Sequence, residues 1–458
     1  MLQVDAGDML WARQALPERE KEQRLLKAEL LLDGAALLGL DALGPGDGDL
    51  AFGLDFLLEA AERRSLPYVS ANLARRDGAL VFAQRRVVER AGLKLGITSV
   101  LSDQLHVPRG SVLPVVPALR DAVAALRNED RVDLVIVLSH LGLSVDRTIA
   151  ADIEGIDLIF GGHSRSHQED PLIVGKTAIF QAGSRGKSLG QVGVTLREGA
   201  RGWLDPAAGR RVAAQRQQLQ SQLVDYRAQL ARLDPENEHK RARLEQVVEF
   251  SERRLAALPD PAQTEPSESR NLLTGEKVPL NRKITDHPEM QALVDAALER
   301  LGPQAAGHDH AGHAHGGHDH AGKGGSPPRT ARKYGDYVGQ DACKSCHAAQ
   351  YKDWQTTGHA HAYSTLVKER RHFDLDCWSC HVTGAKAPGG PVGPYDVGPL
   401  RNVQCEACHG PGRAHVSNPA ADMKRVPDEA HCKSCHSDEQ TEGRFDYQSY
   451  LQRVDHLP

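Results

Sequence analysis

The sequence predicts an α/β sandwich, then an antiparallel helical hairpin, then a mostly α or irregular C-terminal domain. Three observations carry this. The first ~200 residues alternate apolar strand-like runs with amphipathic helical ones. Residues 209–258 repeat apolar side chains at four-three spacing, and residues 334–458 hold all eight cysteines but few large aliphatic side chains. A chain of 458 residues is too long for a single core, so several domains are expected. The changes in pattern place boundaries at 1–205 for the sandwich, 206–260 for the hairpin, 303–333 for a linker and 334–458 for the last domain, with 261–302 between hairpin and linker.

In the sandwich, two apolar runs end on histidine. Ile136–Leu138 leads to His140, and Asp157–Phe160 leads to Gly161, Gly162 and His163. The carboxyl ends of buried strands are where α/β folds place their sites. For either histidine alone, a core or turn position is the plain reading.

The hairpin follows from Leu219, Leu223, Tyr226, Leu230 and Leu233, and again from Leu244, Val248, Ser251, Leu255 and Leu258, with Asp234-Pro235 breaking the run between them. Solvated polar faces are the plain reading of its Gln- and Arg-rich sides, and homodimerisation through the hairpin is the sharper one. Residues 307–328 are glycine-rich and carry His308, His310, His313, His315, His318 and His320. They read either as a solvated tether or as a loose Zn, Cu or Ni binder.

The cysteines form four pairs: Cys343 and Cys346, Cys377 and Cys380, Cys405 and Cys408, Cys432 and Cys435. Each pair is followed at once by histidine, at His347, His381, His409 and His436. Two thiols at this spacing can add to the two vinyl groups of one haem, while the next residue reaches the iron. Zinc sites, redox dithiols and disulfides use CxxC but have no need of that histidine. Four haems c are therefore expected. From Tyr334 onward there is no isoleucine, and only five leucines and two phenylalanines occur. Such a segment buries too little apolar surface to fold unaided, and four macrocycles would supply the missing core. Met423 is its only methionine, so His/Met ligation of all four irons is impossible and bis-histidine ligation should dominate.

The stretches CKSCHAAQYKDWQTTGHAHAYSTL, CWSCHVTG, CEACHGPGRAH and CKSCHSDEQTEGRFDYQSYLQRVDH resemble the tetrahaem cytochromes c whose best-known member accepts electrons from hydroxylamine oxidoreductase. The resemblance implies distal ligands at His359, His415 and His456. His372, His361 or His431 would serve the fourth haem, unless that iron is five-coordinate, as one is in the family.

LQVDAGD at 2–8, LPYVSANL at 66–73, VLSHLG at 137–142 and IDLIFGGHS at 156–164 resemble the 5′-nucleotidase branch of the calcineurin-like metallophosphoesterases. That resemblance makes the first domain a metallophosphoesterase-like sandwich and, resuming near Val278–Leu293, implies that 261–302 is the end of the same domain. It implies a divalent-metal site (Mn, Zn or Fe) with Asp8, Asp47, His140 and His163 as ligands. The departures point to a degenerate site. In GDGDLAFGLDFL from Gly46, Asp47 stands at the family's metal-binding Asn, Gly48 at its catalytic His and Asp49 at its Glu, while Arg165 replaces the second histidine of GHxH. No catalytic residue is assigned.

A net charge of −5 without a basic block excludes a nucleic-acid partner. No apolar run is long enough to span a bilayer. The expected partners are the cytochrome c maturation system and a redox protein or small-molecule electron donor or acceptor. Haem c is attached outside the cytoplasm, so a periplasmic location is expected. Met1 is then expected to lie downstream of an export signal and of the strand carrying the family's DxH motif. Electron transfer is the leading function. A multihaem reductase with one open iron and an active 5′-nucleotidase-like hydrolase are the alternatives.

Overall fold

The computed structural model describes residues 1–11, 16–107, 110–164, 170–200, 202–205, 208–233, 237–258, 270–281, 283–302, 334–385, 387–441 and 444–456. Arg165, Asp234-Pro235 and the histidine-rich linker lie outside these residues. Two compact units emerge: Met1–Leu16 with Leu31–Thr285, and Pro17–Leu30 with Asp286–Pro458.

This division differs from the sequence boundaries in two places, and polar contacts within the second unit explain both. Helix Pro288–Leu301 belongs there because Arg370 reaches Asp295 at 3.1 Å and the Tyr395 hydroxyl donates to the Leu301 carbonyl at 3.1 Å. The segment Pro17–Leu30 belongs there because Lys27 pairs with Asp374 and Asp376, and Arg24 pairs with Asp376. Gln23 adds a reciprocal pair, donating to the Phe373 carbonyl and accepting from Leu375 N.

The first unit is built on a six-stranded sheet. Leu93–Leu101, Leu134–His140, Leu158–Gly161 and Thr177–Phe180 run parallel in that order, with antiparallel Arg85–Arg90 and Leu172–Val174 at the edges. Every residue of Leu134–His140 is buried. Its alternation shows why: Val135 and Val137 pack on the side of helices Val115–Asn128 and Leu143–Asp152, whereas Leu134, Ile136 and Leu138 pack with Trp203, Leu273 and Val192. The latter come from a second sheet, in which Asn271–Pro279 lies between Ser188–Thr195 and Trp203–Leu204. Both faces of the parallel sheet are thus covered, as such sheets require.

Helices Ala208–Arg232 and Glu238–Ala257 pack against each other antiparallel, with Arg227 on Glu252 at 2.6 Å and Arg216 on the Leu258 carbonyl at 3.3 Å. Leu219, Leu223 and Ser251, all apolar-register positions, are buried.

The second unit is made of short helices. Its buried apolar groups are sparse: Tyr363, Trp378, Val382 and Val397 form one cluster, and Tyr334, Tyr337 and Leu400 another. Polar side chains take up much of the work. The carboxylate of Glu406, 2 % exposed, accepts backbone N–H bonds from Val338, Gly339 and Gly412 at 2.7–3.1 Å. Gln404 accepts from Gln340 N and donates to the carbonyls of Pro399 and Arg401. Among the described residues, no helix is long and apolar enough to cross a membrane.

Candidate functional site

In the first unit, three loops and the last residue of strand Leu134–His140 converge at the carboxyl ends of the parallel strands. Asp8, Asp47, His140 and His163 each offer one ligand atom, all within 4.8 Å of one another. His140 ends its strand, and its Nδ1–H donates to the Ala6 carbonyl at 2.9 Å. A carbonyl can only accept, so Nδ1 carries a proton and Nε2 is directed into the cluster, the orientation a metal-binding histidine needs. Nε2 lies 3.0 Å from Asp47 Oδ1 and 3.3 Å from Asp8 Oδ2, and His163 Nδ1 lies 3.2 Å from Asp47 Oδ1. Asp8 and His163 both sit at positive φ, 61° and 65°, a conformation that costs non-glycine residues energy and clusters at sites.

Burial works to lower the His140 pKa, yet the hydrogen bonds of Asp47 and Asp8 raise it to about 10. Burial likewise opposes ionisation of Asp47, but His140 and His163 hold that carboxyl down at about 2. Two carboxylates favour positive charge between them, which a divalent ion bound by neutral imidazoles would supply more strongly. Two imidazoles with two carboxylates suit Mn, Zn or Fe(II).

Beneath the cluster, Asp49 is 1 % exposed and ties two loops together by accepting from the backbone N–H groups of Asp8, Leu10 and Gly46. Burial pushes its carboxyl up to about 7, against those bonds. Gly48 explains the departure at the aligned catalytic histidine: a Cβ there would sit 1.7 Å from the Trp11 carbonyl oxygen. No side chain fits without moving the loop.

The second unit brings together histidines far apart in sequence. His347 faces His415 with ring centroids 6.1 Å apart, His436 faces His359 at 6.1 Å, and His409 faces His456 at 5.7 Å. Two imidazoles on opposite sides of one metal, each bonded at about 2 Å, place their ring centres about 6 Å apart. Burial, with His436 and His381 nearby, lowers the His359 pKa, and burial lowers that of His436, which favours the neutral ligand form. None of the eight cysteines is in a disulfide. The hydrogen bond with Cys343 lowers the pKa of the Cys405 thiol.

His381 differs. Its Nδ1 bonds the Ala362 carbonyl at 2.6 Å, and among the described residues no second imidazole faces it at such a distance. His372 packs instead on Phe373, with centroids 4.1 Å apart. His361 bonds the Gln355 carbonyl, and His431 the Ala407 carbonyl.

The comparisons with known proteins fall on these two regions. Residues 342–410 match the family model described as cytochrome c554 and c-prime. Cytochrome c-554 of Nitrosomonas europaea is 36 % identical over 92 residues, covering 17 % of this chain and 39 % of that protein. An apyrase of Tabanus yao is 33 % identical over 141 residues (28 % of this chain, 25 % of the relative), and a 5′-nucleotidase of Vibrio vulnificus is 25 % identical over 215 residues (39 % of each). The chain joins a 5′-nucleotidase-like domain to a cytochrome c554-like domain. It spans less than half the length of each of these relatives.

Several working groups of the two domains carry no signal at the level of single motifs. In the nucleotidase-like domain they are the Ala6 carbonyl and buried Asp146, which accepts from Ser139 and Gln181 beneath His140. In the cytochrome c554-like domain they are Lys27 and Arg24 on Asp374 and Asp376. Glu406 stands inside CEACH, so the motif contains it, but its clamp on Val338, Gly339 and Gly412 is visible only in three dimensions.

Proposed function

We propose that the chain is an electron-transfer cytochrome carrying four covalently attached haems, fused to a nucleotidase-like domain that binds a divalent ion without hydrolysing phosphate esters at a useful rate. The observation that carries it is the set of three imidazole pairs about 6 Å apart, each formed by a CxxCH histidine and one from elsewhere in the sequence. The cysteine pairs named above would attach the macrocycles. His347 with His415, His436 with His359 and His409 with His456 would be the axial ligands. Bound there, haem c supplies reversible one-electron redox chemistry. Covalent attachment calls for the cytochrome c maturation system, a periplasmic location and a redox partner.

Replacing Cys405 and Cys408 by alanine is expected to lower haem content from four to three per chain in a pyridine haemochrome assay. An unchanged content overturns the assignment.

A second reading, small-molecule reduction at an open iron, is favoured by one observation: His381 faces no second imidazole among the described residues. Binding of CO to the reduced protein at one haem per chain supports it, and absence of binding removes it. Loss of hydrolysis in the first domain is supported by Gly48, where neither a histidine nor any Cβ fits. Nucleotide turnover with manganese at rates typical of nucleotidases would refute that part.

A further inference from the structure

We infer that Gln23, Arg24 and Lys27, on helix Lys21–Leu38, are positioning residues of the second haem site: they lock the short helix that carries Cys377, Cys380 and His381 and set the electric field at its start. This rests on the reading that those last three residues hold a haem.

The attachment helix Leu375–His381 has seven residues, too few to keep its shape unaided. Asp374, 3 % exposed, fixes its first turn. The Asp374 carboxylate accepts from Asp376 N at 2.9 Å, and its carbonyl accepts from Cys377 N at 3.1 Å and Trp378 N at 2.8 Å. Asp374 is gripped in turn by a helix 347 positions earlier in the chain. Lys27 Nζ donates to Asp374 Oδ1 at 2.5 Å and to Asp376 Oδ2 at 2.6 Å, and Arg24 donates to that same Asp376 oxygen at 2.5 Å. Gln23 holds the backbone on both sides of Asp374, donating to the Phe373 carbonyl at 2.9 Å and accepting from Leu375 N at 2.8 Å. Residues 23, 24 and 27 lie one turn apart on a single helix face, so the three act together.

The other attachment helices are held differently. Gln340–Lys344 and Cys405–His409 have no side-chain cap. Asp428 caps Glu429–Lys433, but its cation is Lys424, four positions away, and both side chains are largely exposed. An exposed pair of that kind contributes little. At the second site the Arg24, Lys27 and Asp374 side chains are 7 %, 22 % and 3 % exposed, so solvent screens their charges weakly. The family match over 342–410 contains the two acids but neither cation.

These charges are felt at the attachment cysteine. Burial pushes the Cys377 thiol up to about 11; Asp374 and Asp376 add to the rise, while Arg371 and Lys27 oppose it. Ferric haem carries one more positive charge than ferrous haem. A cation held here therefore favours the reduced state and an anion the oxidised one.

The test uses the full-length haem-loaded protein. Lys27→Met keeps the aliphatic stem and removes the charge; in a spectroelectrochemical titration it should move one of the four one-electron steps to lower potential. Asp376→Asn should move the same step to higher potential, and the double variant should return towards the native position. Absence of any shift, or shifts of the same sign in both single variants, overturns the field. Gln23→Ala combined with Lys27→Met should lower haem occupancy of the Cys377–Cys380 peptide at least twofold, measured by mass spectrometry of a digest, with the other three peptides still loaded. Full occupancy there, or equal loss at all four sites, overturns the lock. A native protein without haem on the Cys377–Cys380 peptide would instead overturn the haem reading on which the inference rests.

Discussion

The two units keep their shape by different means. In the first, the strand Leu134–His140 is buried on both faces, and its apolar residues alternate between two packed layers. Its site sits at the end of that rigid strand. In the second, the two apolar clusters hold four and three buried residues, and carboxylates and amides do much of the joining. A core of side chains holds its ligands in place by itself. A unit with so little core needs its cofactor as a structural element, and the difference between the two can be tested.

The largest effect should come from withholding haem. Expression without a cytochrome c maturation system, or with all eight cysteines replaced, should leave the second unit protease-sensitive while the first keeps a cooperative melt. Equal resistance of both units would erase the contrast. Next, Leu138→Ala should destabilise the first unit by roughly 2–5 kcal/mol, because Leu138 is 1 % exposed and lies between layers, with no change in haem content. A loss below 1 kcal/mol in chemical denaturation would show that this core is looser than its packing implies.

In the second unit the comparable break is polar. Glu406→Ala strands the N–H groups of Val338, Gly339 and Gly412, and should cost about 2–4 kcal/mol and lower haem retention, with Glu406→Gln intermediate. A neutral outcome would mean that the macrocycles alone hold the unit.

The smallest effect is one of pH. Burial pushes the fully buried Asp146 carboxyl from 3.8 up to about 6, despite its bonds from Ser139 and Gln181. A raised acid is ionised more easily in the unfolded chain, so stability of the first unit should be fully present below pH 4 from this group and fall as pH rises through 6. The loss is at most roughly 3 kcal/mol. Asp146→Asn should flatten that slope in denaturation curves taken between pH 4 and 8. An unchanged slope would assign it to other groups.

Much of the chemistry was legible in residue order because it is local. CxxCH is a contiguous motif, so four candidate haem sites are countable without a fold. His140 and His163 were visible as polar ends of apolar strand runs, since burial of a parallel strand leaves a continuous signature. Asp47 and Gly48 could be flagged as departures, but not explained. The reason for Gly48 is the Trp11 carbonyl, 37 positions away in sequence and 1.7 Å from where a Cβ would lie.

The sequence by itself determined the four CxxCH motifs, the α/β character of the first domain, the four-three repeat of the hairpin and the kinds of ligand available to each site. All of these depend on spacing within a few turns or one strand. Only the tertiary structure decided which histidine faces which, that Asp8 spends one oxygen on a backbone N–H, that Glu406 clamps Val338, Gly339 and Gly412, and that Pro17–Leu30 belongs with the second unit. Apart from Glu406 with Gly412, six positions apart, those pairings join residues separated by 40 to about 350 positions. A hydrogen bond or a shared metal depends on the last few ångströms of approach, which the packing of whole elements sets and no local pattern encodes.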